Sequence, residues 1–300
     1  MAIYTAPLQD MRFILNDVFD AHNFWQKNAN LAHVDMDTVN MILEEMAKLS
    51  QQVLLPLNRN GDEEGAKYLG DGKVATPTGF KQAYQQYAEA GWIGLGGDPA
   101  YGGQGFPKMV TMLIEEMMFS VNQSFALYPN LTVGATLCLL ASGSEEQKQT
   151  YLEKMYAGEW SGTMCLTEPH AGTDLGIIKT KAVPNDDGSY AISGTKIFIT
   201  AGEHDLTDNI IHLVLAKTPN APEGSKGISL FVVPKFLVND DGSLGERNDV
   251  WAGSIEHKMG IKASATCVMN FDGAKGWIIG AENTGLASMF VMMNYERVTM

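Results

Sequence analysis

Apolar residues recur at helical spacing through the first half of the chain and at strand spacing through most of the second. Leu8, Met11, Leu15, Val18 and Phe19 share one helical face, with Thr5 and Pro7 as start signals. Val39, Ile42, Leu43, Met46, Leu49 and Val53 repeat the pattern over residues 38–55 and stop at Pro56. The polar stretch between them carries His22 and His33, read as surface histidines, and 58–79 reads as a loop rich in Gly and Asp. A helix follows from Phe80 to Ala90, ended by Gly91. Another spans 108–122, with Met109, Met112, Leu113 and Met117 inward and Glu115 and Glu116 on the polar face. Leu131 to Leu140 is a further apolar helix. Ser144-Glu-Glu-Gln147 is a capping box for the next, which Gly158 closes.

At Glu159 the period changes. Short strand-like runs follow around Ile192, at Ile197 to Ile199, Ile210 to Leu215, Ile228 to Val233 and Cys267 to Phe271. Turn signals such as Asp187-Gly188 and Asp241-Gly242 separate them. Residues 234–258 read as a polar surface excursion. Leu286, Met289, Phe290 and Met293 begin a new amphipathic helix, and Tyr295 to Met300 carries no stop signal. The expectation is a chain truncated inside a helix. The predicted class is α+β multidomain. The predicted segments are an N-terminal helical extension (1–78), a helical domain (79–158), a β-barrel-like middle domain (159–275) and the start of a second helical domain (276–300).

Composition narrows function without naming it. Hydrophobic residues make up 45% and charged residues 19%, as expected of a globular chain with a sizeable core. A net charge of −14 argues against nucleic acid, whose recognition needs a basic face. No apolar run approaches the ~20 residues that cross a bilayer, and the first residues lack the charged-then-apolar order of a signal peptide. Cys138, Cys165 and Cys267 show no metal spacing. Three sparse thiols fit a reducing cytoplasm.

Chemistry concentrates in residues 162–202. Met164 to Leu166 is a short apolar strand that runs into Thr167 and a turn holding Pro169, Gly172 and Thr173. Lys196 and Phe198 alternate with Ile197 and Ile199 before Thr200, after a hairpin at 183–189. From the residues alone, these are two neighbouring strands of an ordinary β domain or one wall of a site for a planar ligand. The glycine-rich stretch from Gly96 to Pro107 lacks the Gly-Lys-Ser/Thr of a phosphate loop, and no dinucleotide fingerprint occurs.

Cys-Leu-Thr-Glu-Pro-His-Ala-Gly-Thr-Asp from Cys165, followed by Lys-Ile-Phe-Ile-Thr-Ala-Gly from Lys196, closely resembles the flavin-contacting signature of the acyl-CoA dehydrogenases. The resemblance runs from about Gly91 to Met300. The opening from Tyr4 to Phe13 resembles the N-terminal extension of a larger branch that includes 3-methylmercaptopropionyl-CoA dehydrogenase. It implies an FAD enzyme for α,β-dehydrogenation of an acyl-CoA thioester. Met164, Cys165, Leu166, Thr167 and Glu168 then form the flavin strand and turn, with Glu168 anchoring the loop. Thr173 contacts the cofactor pyrophosphate and the CoA arm, while Phe198, Ile199 and Thr200 cover the rest of the ring. The Tyr101-Gly-Gly loop joins two helices near the acyl site. Phe198 stands where many relatives carry Trp, so an indole N–H is missing. His170 stands where Gly is frequent.

Asn294 and Arg297 match a polar-x-x-Arg pair near the CoA entrance; the alternative is one solvated helix face. The resemblance puts the catalytic Glu beyond residue 300, and Glu115, Glu116, Glu168 and Glu296 are poor substitutes. It implies electron-transferring flavoprotein as acceptor and a homodimer or larger homo-oligomer. Two alternatives remain: a non-catalytic flavin- or acyl-CoA-binding fragment, and an acyl-CoA oxidase.

Overall fold

The computed structural model describes residues 3 to 299; Met1, Ala2 and Met300, at the ends of the predicted segments, lie outside them. The first half is helical: α1 (Leu8–Phe13), α2 (Ala21–Gln26), α3 (Met36–Leu49), α4 (Leu55–Glu64), α5 (Phe80–Glu89), α6 (Lys108–Val121), α7 (Gln123–Ser142) and α8 (Glu145–Tyr156). Local chemistry sets several starts. Asp35 accepts from Thr38 N at 2.8 Å to cap α3, and Asn122 accepts from Phe125 N at 3.0 Å to cap α7. The capping box at Ser144 and Gln147 forms as the sequence predicts.

Three local readings change. The helix does not stop at Pro56. A π-turn at Ser50–Leu54 leads without a break into α4, whose first turn holds Pro56. The segment read as loop to residue 79 holds the end of α4 and a hairpin, β1 (Lys67–Gly70) with β2 (Lys73–Ala75). Helix α7 has 20 residues, apolar enough by length and composition to cross a membrane. It is instead the core helix here, with 78% of its apolar window buried inside the chain.

The second half is built on β3 (Trp160–Cys165), β4 (Lys181–Pro184), β5 (Tyr190–Thr200), β6 (Asn209–Ala216), β7 (Ser229–Pro234), β8 (Phe236–Val238), β9 (Leu244–Arg247), β10 (Val250–Ile255) and β11 (Thr266–Ile279). The main sheet runs β3-β6-β7-β11-β5-β4, with β10 also on β11, and β8 pairs with β9 apart from it. Among the described strand ladders, only β3 with β6 is parallel. The barrel-like reading is loose, because the ladder is open. At one end β4 bonds to the residue just past β6, Ala182 N to Lys217 O at 2.9 Å, and no ladder joins β4 to β3 among the described residues. The 234–258 excursion is also revised, since β10 is a strand of the main sheet. Every residue of β6 and β7 is buried, which is why both read as unbroken apolar runs. Helix α9 (Gly285–Thr299) returns to pack on α7 and β7.

Candidate functional site

Strand β3 is buried except at Met164, which is half-buried. Beyond it the chain turns tightly at Glu168 to Ala171, whose backbones exchange two bonds of 3.0 Å. The Glu168 side chain is inside this turn. Its Oε1 accepts from Thr180 Oγ1 at 2.6 Å, Thr180 N at 3.0 Å and Lys196 Nζ at 2.8 Å, and its Oε2 accepts from Lys179 N at 2.7 Å. Burial pushes the Glu168 carboxyl up, but Lys196 and the other donors outweigh it and hold the group below the usual carboxylate range. Burial pushes the Lys196 ammonium down, against the pull of Glu168. Glu168 therefore anchors the loop, as its position in the turn implied.

Lys196 and Phe198 do not share a face. Lys196 is fully buried, Ile199 is buried and Phe198 is 52% exposed. A β-bulge causes this. Cys267 pairs with Ile199 and Met269 with Lys196, so Ile197 and Phe198 both oppose Val268. Phe198 adopts φ 58°, which turns its ring outward. Ile197 N donates to Thr167 O at 2.8 Å and ties the bulge to the exit of β3.

The predicted residues thus divide. Met164, Thr167, Thr173, Phe198 and Thr200 are at least partly exposed, while Cys165, Leu166, Glu168 and Ile199 point into the interior. The Cys165 thiol is pushed up to about 12, chiefly by burial. The hydroxyls of Thr167, Thr173 and Thr200 have no partner among the described residues. An exposed ring and a half-buried Met beside unpaired hydroxyls fit a flat ligand with a polar edge. His170 is tied to its own turn, 3.1 Å from Ile177 O. Asn294 and Arg297 lie on the solvent face of α9, where Arg297 donates to Asn294 Oδ1 at 3.2 Å.

Under β3, Ser161 Oγ lies 3.0 Å from His204 Nε2. His204 Nδ1 accepts from Leu206 N, so in the neutral ring Nε2 carries the proton. Burial pushes this imidazole down to about 3. It is a core donor to Ser161, not a base for it.

Sequence reasoning missed a second centre. A cavity of 160 Å³ lies among α5 to α9 and the glycine-rich loop. Gly96, Gly97 and Phe106 line one side, and Lys108, Asn130 and Tyr295 bring polar groups to it. Glu115 lines it too and is buried, against its expected place on a polar face. It accepts from Lys108 Nζ at 3.0 Å and Tyr295 Oη at 2.5 Å. Glu296 lies behind Asn130, which donates to its Oε2 at 2.5 Å. Burial, then the nearby Glu115, pushes the Glu296 carboxyl up to about 8. The sequence held two faint signals. Lys108 and Glu115 stand two turns apart on α6, and Gly134 clears space, since a Cβ there would sit 2.4 Å from Glu296 Oε1.

The glycine loop is packed just as closely. A Cβ on Gly103 would lie 2.1 Å from the Gly97 carbonyl carbon. Gly103→Ala is expected to cost about 1–3 kcal/mol through overpacking and to shift the wall of the cavity. An unchanged denaturation midpoint would show that the loop yields freely.

Fold and site define a helix-and-sheet protein with a flat-ligand wall on the sheet and an apolar cavity among the helices. The acyl-CoA dehydrogenase N-terminal domain matches residues 36–159, and the acyl-CoA dehydrogenase middle domain matches residues 163–274. The chain belongs to the acyl-CoA dehydrogenase family. It is 46% identical over 297 residues to 3-methylmercaptopropionyl-CoA dehydrogenase of Ruegeria pomeroyi, covering 98% of this chain and 50% of that protein. The chain therefore spans about half the length of that curated relative. An acyl-CoA dehydrogenase from Bacillus anthracis solved with FAD superposes with TM-score 0.71 at 25% identity, covering 88% of this chain and 41% of that one. A chain solved in work on the electron transferring flavoprotein of Acidaminococcus fermentans superposes with TM-score 0.73 at 26% identity, covering 89% and 64%.

Proposed function

We propose that this chain is the cofactor- and acyl-holding part of an FAD-dependent acyl-CoA dehydrogenase, which converts an acyl-CoA to its trans-2-enoyl-CoA. The observation that carries the reading is the pairing of two sites in a chain of this family. One is the wall of Met164, Thr167, Phe198 and Thr200; the other is the apolar cavity beside the glycine-rich loop. Bound FAD supplies the acceptor for the hydride leaving the β carbon. Met164 and Phe198 give the ring apolar contact, and the Thr167 and Thr200 hydroxyls bond its polar edge. Thr173 serves the pyrophosphate and the CoA arm. Asn294 and Arg297 stand at the CoA entrance. Helices α5 to α8 hold the acyl chain away from water, which strengthens every polar contact near the thioester.

The cavity size limits the acyl group. A cavity of ~150 Å³ accommodates benzene, so 160 Å³ matches a short chain of comparable bulk. The α proton is left to a Glu beyond residue 300, where the resemblance puts it. Residues 1–300 alone are then expected to bind but not to dehydrogenate acyl-CoA. Electron-transferring flavoprotein is the proposed acceptor, a homo-oligomer the proposed state, and the cytoplasm the proposed compartment. Three buried free cysteines support the last of these.

The test uses the complete enzyme that contains this chain. Without oxygen, a short acyl-CoA should bleach the absorbance of bound FAD. A protein that neither carries nor takes up FAD would end the proposal. Thr167→Val removes one hydroxyl at nearly constant volume and should weaken FAD binding by roughly 0.5–1.5 kcal/mol. Unchanged affinity and spectrum would remove Thr167 from the site.

A further inference from the structure

One hydroxyl of the cavity lining is buried, reachable and unmatched. Tyr87, on α5, lines the cavity and is 3% exposed. Its Oη makes no hydrogen bond among the described residues. Unlike the Tyr84 hydroxyl one turn earlier, it is not sealed in the core, so its open side faces the cavity. Four other polar side chains of the lining have partners within the protein. Lys108 and Tyr295 are bonded to Glu115, Asn130 donates to Glu296, and Thr136 donates to Val133 O at 2.8 Å. Two rings hold the phenol in place. Trp92 stacks on it with centroids 6.4 Å apart, and Phe125 meets it edge-on at 6.1 Å. Burial, then the nearby Glu115, pushes this phenol well above the usual tyrosine range, so it stays an O–H donor. Water in a cavity can satisfy such a donor, but an alkyl chain that displaces the water leaves it unmatched.

We infer that the acyl group taken by this site carries a hydrogen-bond acceptor, an ether or carbonyl oxygen, at the part of the chain that reaches Tyr87, and that Tyr87 is a specificity-determining residue. The inference rests on the reading that this cavity holds the acyl chain. The fold itself has no visible use for the Tyr87 oxygen, since a Phe would fill the same space with no hydroxyl to desolvate. A neutral acceptor is the group that fits. Tyr87 supplies the proton, and Lys108 and Glu115 already pair with each other, so neither calls for a charged chain end. The apolar part of the lining, including Ile93, Leu95, Ile114 and Met118, takes the methylenes. A buried donor that only the right chain can match discriminates against the analogue lacking the acceptor.

The experiment uses unreactive CoA thioethers, which have no carbonyl to acidify an α proton, so that binding is read apart from turnover. S-hexyl-CoA is compared with its two ether isosteres, S-(3-ethoxypropyl)-CoA and S-(4-methoxybutyl)-CoA. Each is titrated by calorimetry into the complete FAD-loaded enzyme and its Tyr87→Phe variant, with thermal unfolding of both proteins alongside. At least one ether should bind the wild type more tightly than S-hexyl-CoA by about fivefold or more, as one neutral hydrogen bond allows. Tyr87→Phe should abolish that preference and leave the thermal midpoint unchanged or raised. A wild type that favours neither ether overturns the inference, as does a preference that Tyr87→Phe retains. A clear fall in the variant's midpoint overturns it too, because the hydroxyl would then serve the fold. In those cases flavin bleaching by hexanoyl-CoA still upholds the dehydrogenase reading. If no thioether binds and hexanoyl-CoA does not bleach the flavin, that reading falls and the inference with it.

Discussion

Glu168→Gln is expected to destabilise the chain by about 3–5 kcal/mol, the range for breaking a buried ion pair from one side. Lys196 is fully buried, and the carboxylate 2.8 Å away is its only acidic partner among the described residues. Without that charge the ammonium keeps one carbonyl, Leu166 O at 3.0 Å. The damage also reaches the site, because the same carboxylate holds the backbone of Lys179 and Thr180 against the turn that leads out of Thr167. The double variant Glu168→Gln with Lys196→Met should recover much of the loss, since an apolar replacement of both charges is often neutral. The pH sense is fixed by the depressed carboxyl. Its contribution is present above the ordinary carboxylate pKa and is lost as pH falls through the lowered one. The gap between wild type and Glu168→Gln should therefore close in acid. Urea midpoints across that range measure it. A constant gap of under about 1 kcal/mol would mean the pair is not held charged.

Glu296→Gln is expected to behave in the opposite sense. Its carboxyl ordinarily titrates near 4.5 and here near 8, so the folded chain holds this proton over a window where the unfolded chain has lost it. Wild-type stability should fall as pH rises through that window, by on the order of 5 kcal/mol in total at 1.36 kcal/mol per unit. The variant has no carboxyl to ionise and should be the more stable protein above pH 8. The two should converge toward the ordinary carboxylate range. The groups facing Glu296 are Glu115, Lys108 and Asn130. They are present in both proteins, so the comparison isolates Glu296. Parallel thermal-midpoint curves from acid to pH 9 would show that Glu296 is already charged in the fold.

Much of the molecule was legible in the chain. The start of α8 lay in Ser144 and Gln147, because a capping box is a local exchange of bonds. The switch from helices to sheet near Glu159 lay in the period of the apolar residues, and β4 and β5 meet at the turn that Asp187-Gly188 announces. The turn role of Glu168 followed from the motif around it. These features depend on residues within a few positions of one another. Helical pattern also located α9 and showed that Asn294 and Arg297 share a face.

What the tertiary structure decided involves partners far apart in sequence. Glu115 looked like one of two solvent-facing acids on α6, yet Tyr295, 180 positions later, closes over it, while Glu116 stays exposed. Glu296 lies next to an exposed Arg297 and is buried by Asn130, 166 positions earlier. Lys196 broke the expected alternation because one extra residue in β5 opposite Val268 changes which side chains point inward, and period-two reasoning has no term for a bulge. The openness of the sheet was likewise out of reach, since no local pattern tells whether β3 and β4, the strands at its two ends, pair with each other. The sequence by itself determined most of the helices, the capping box and the change to strands near Glu159, because those depend on propensity and local bonds, while the β1–β2 hairpin and β10 escaped it. The structure alone decided which charged groups lose their water, because desolvation depends on everything that packs around a group and not on its neighbours along the chain.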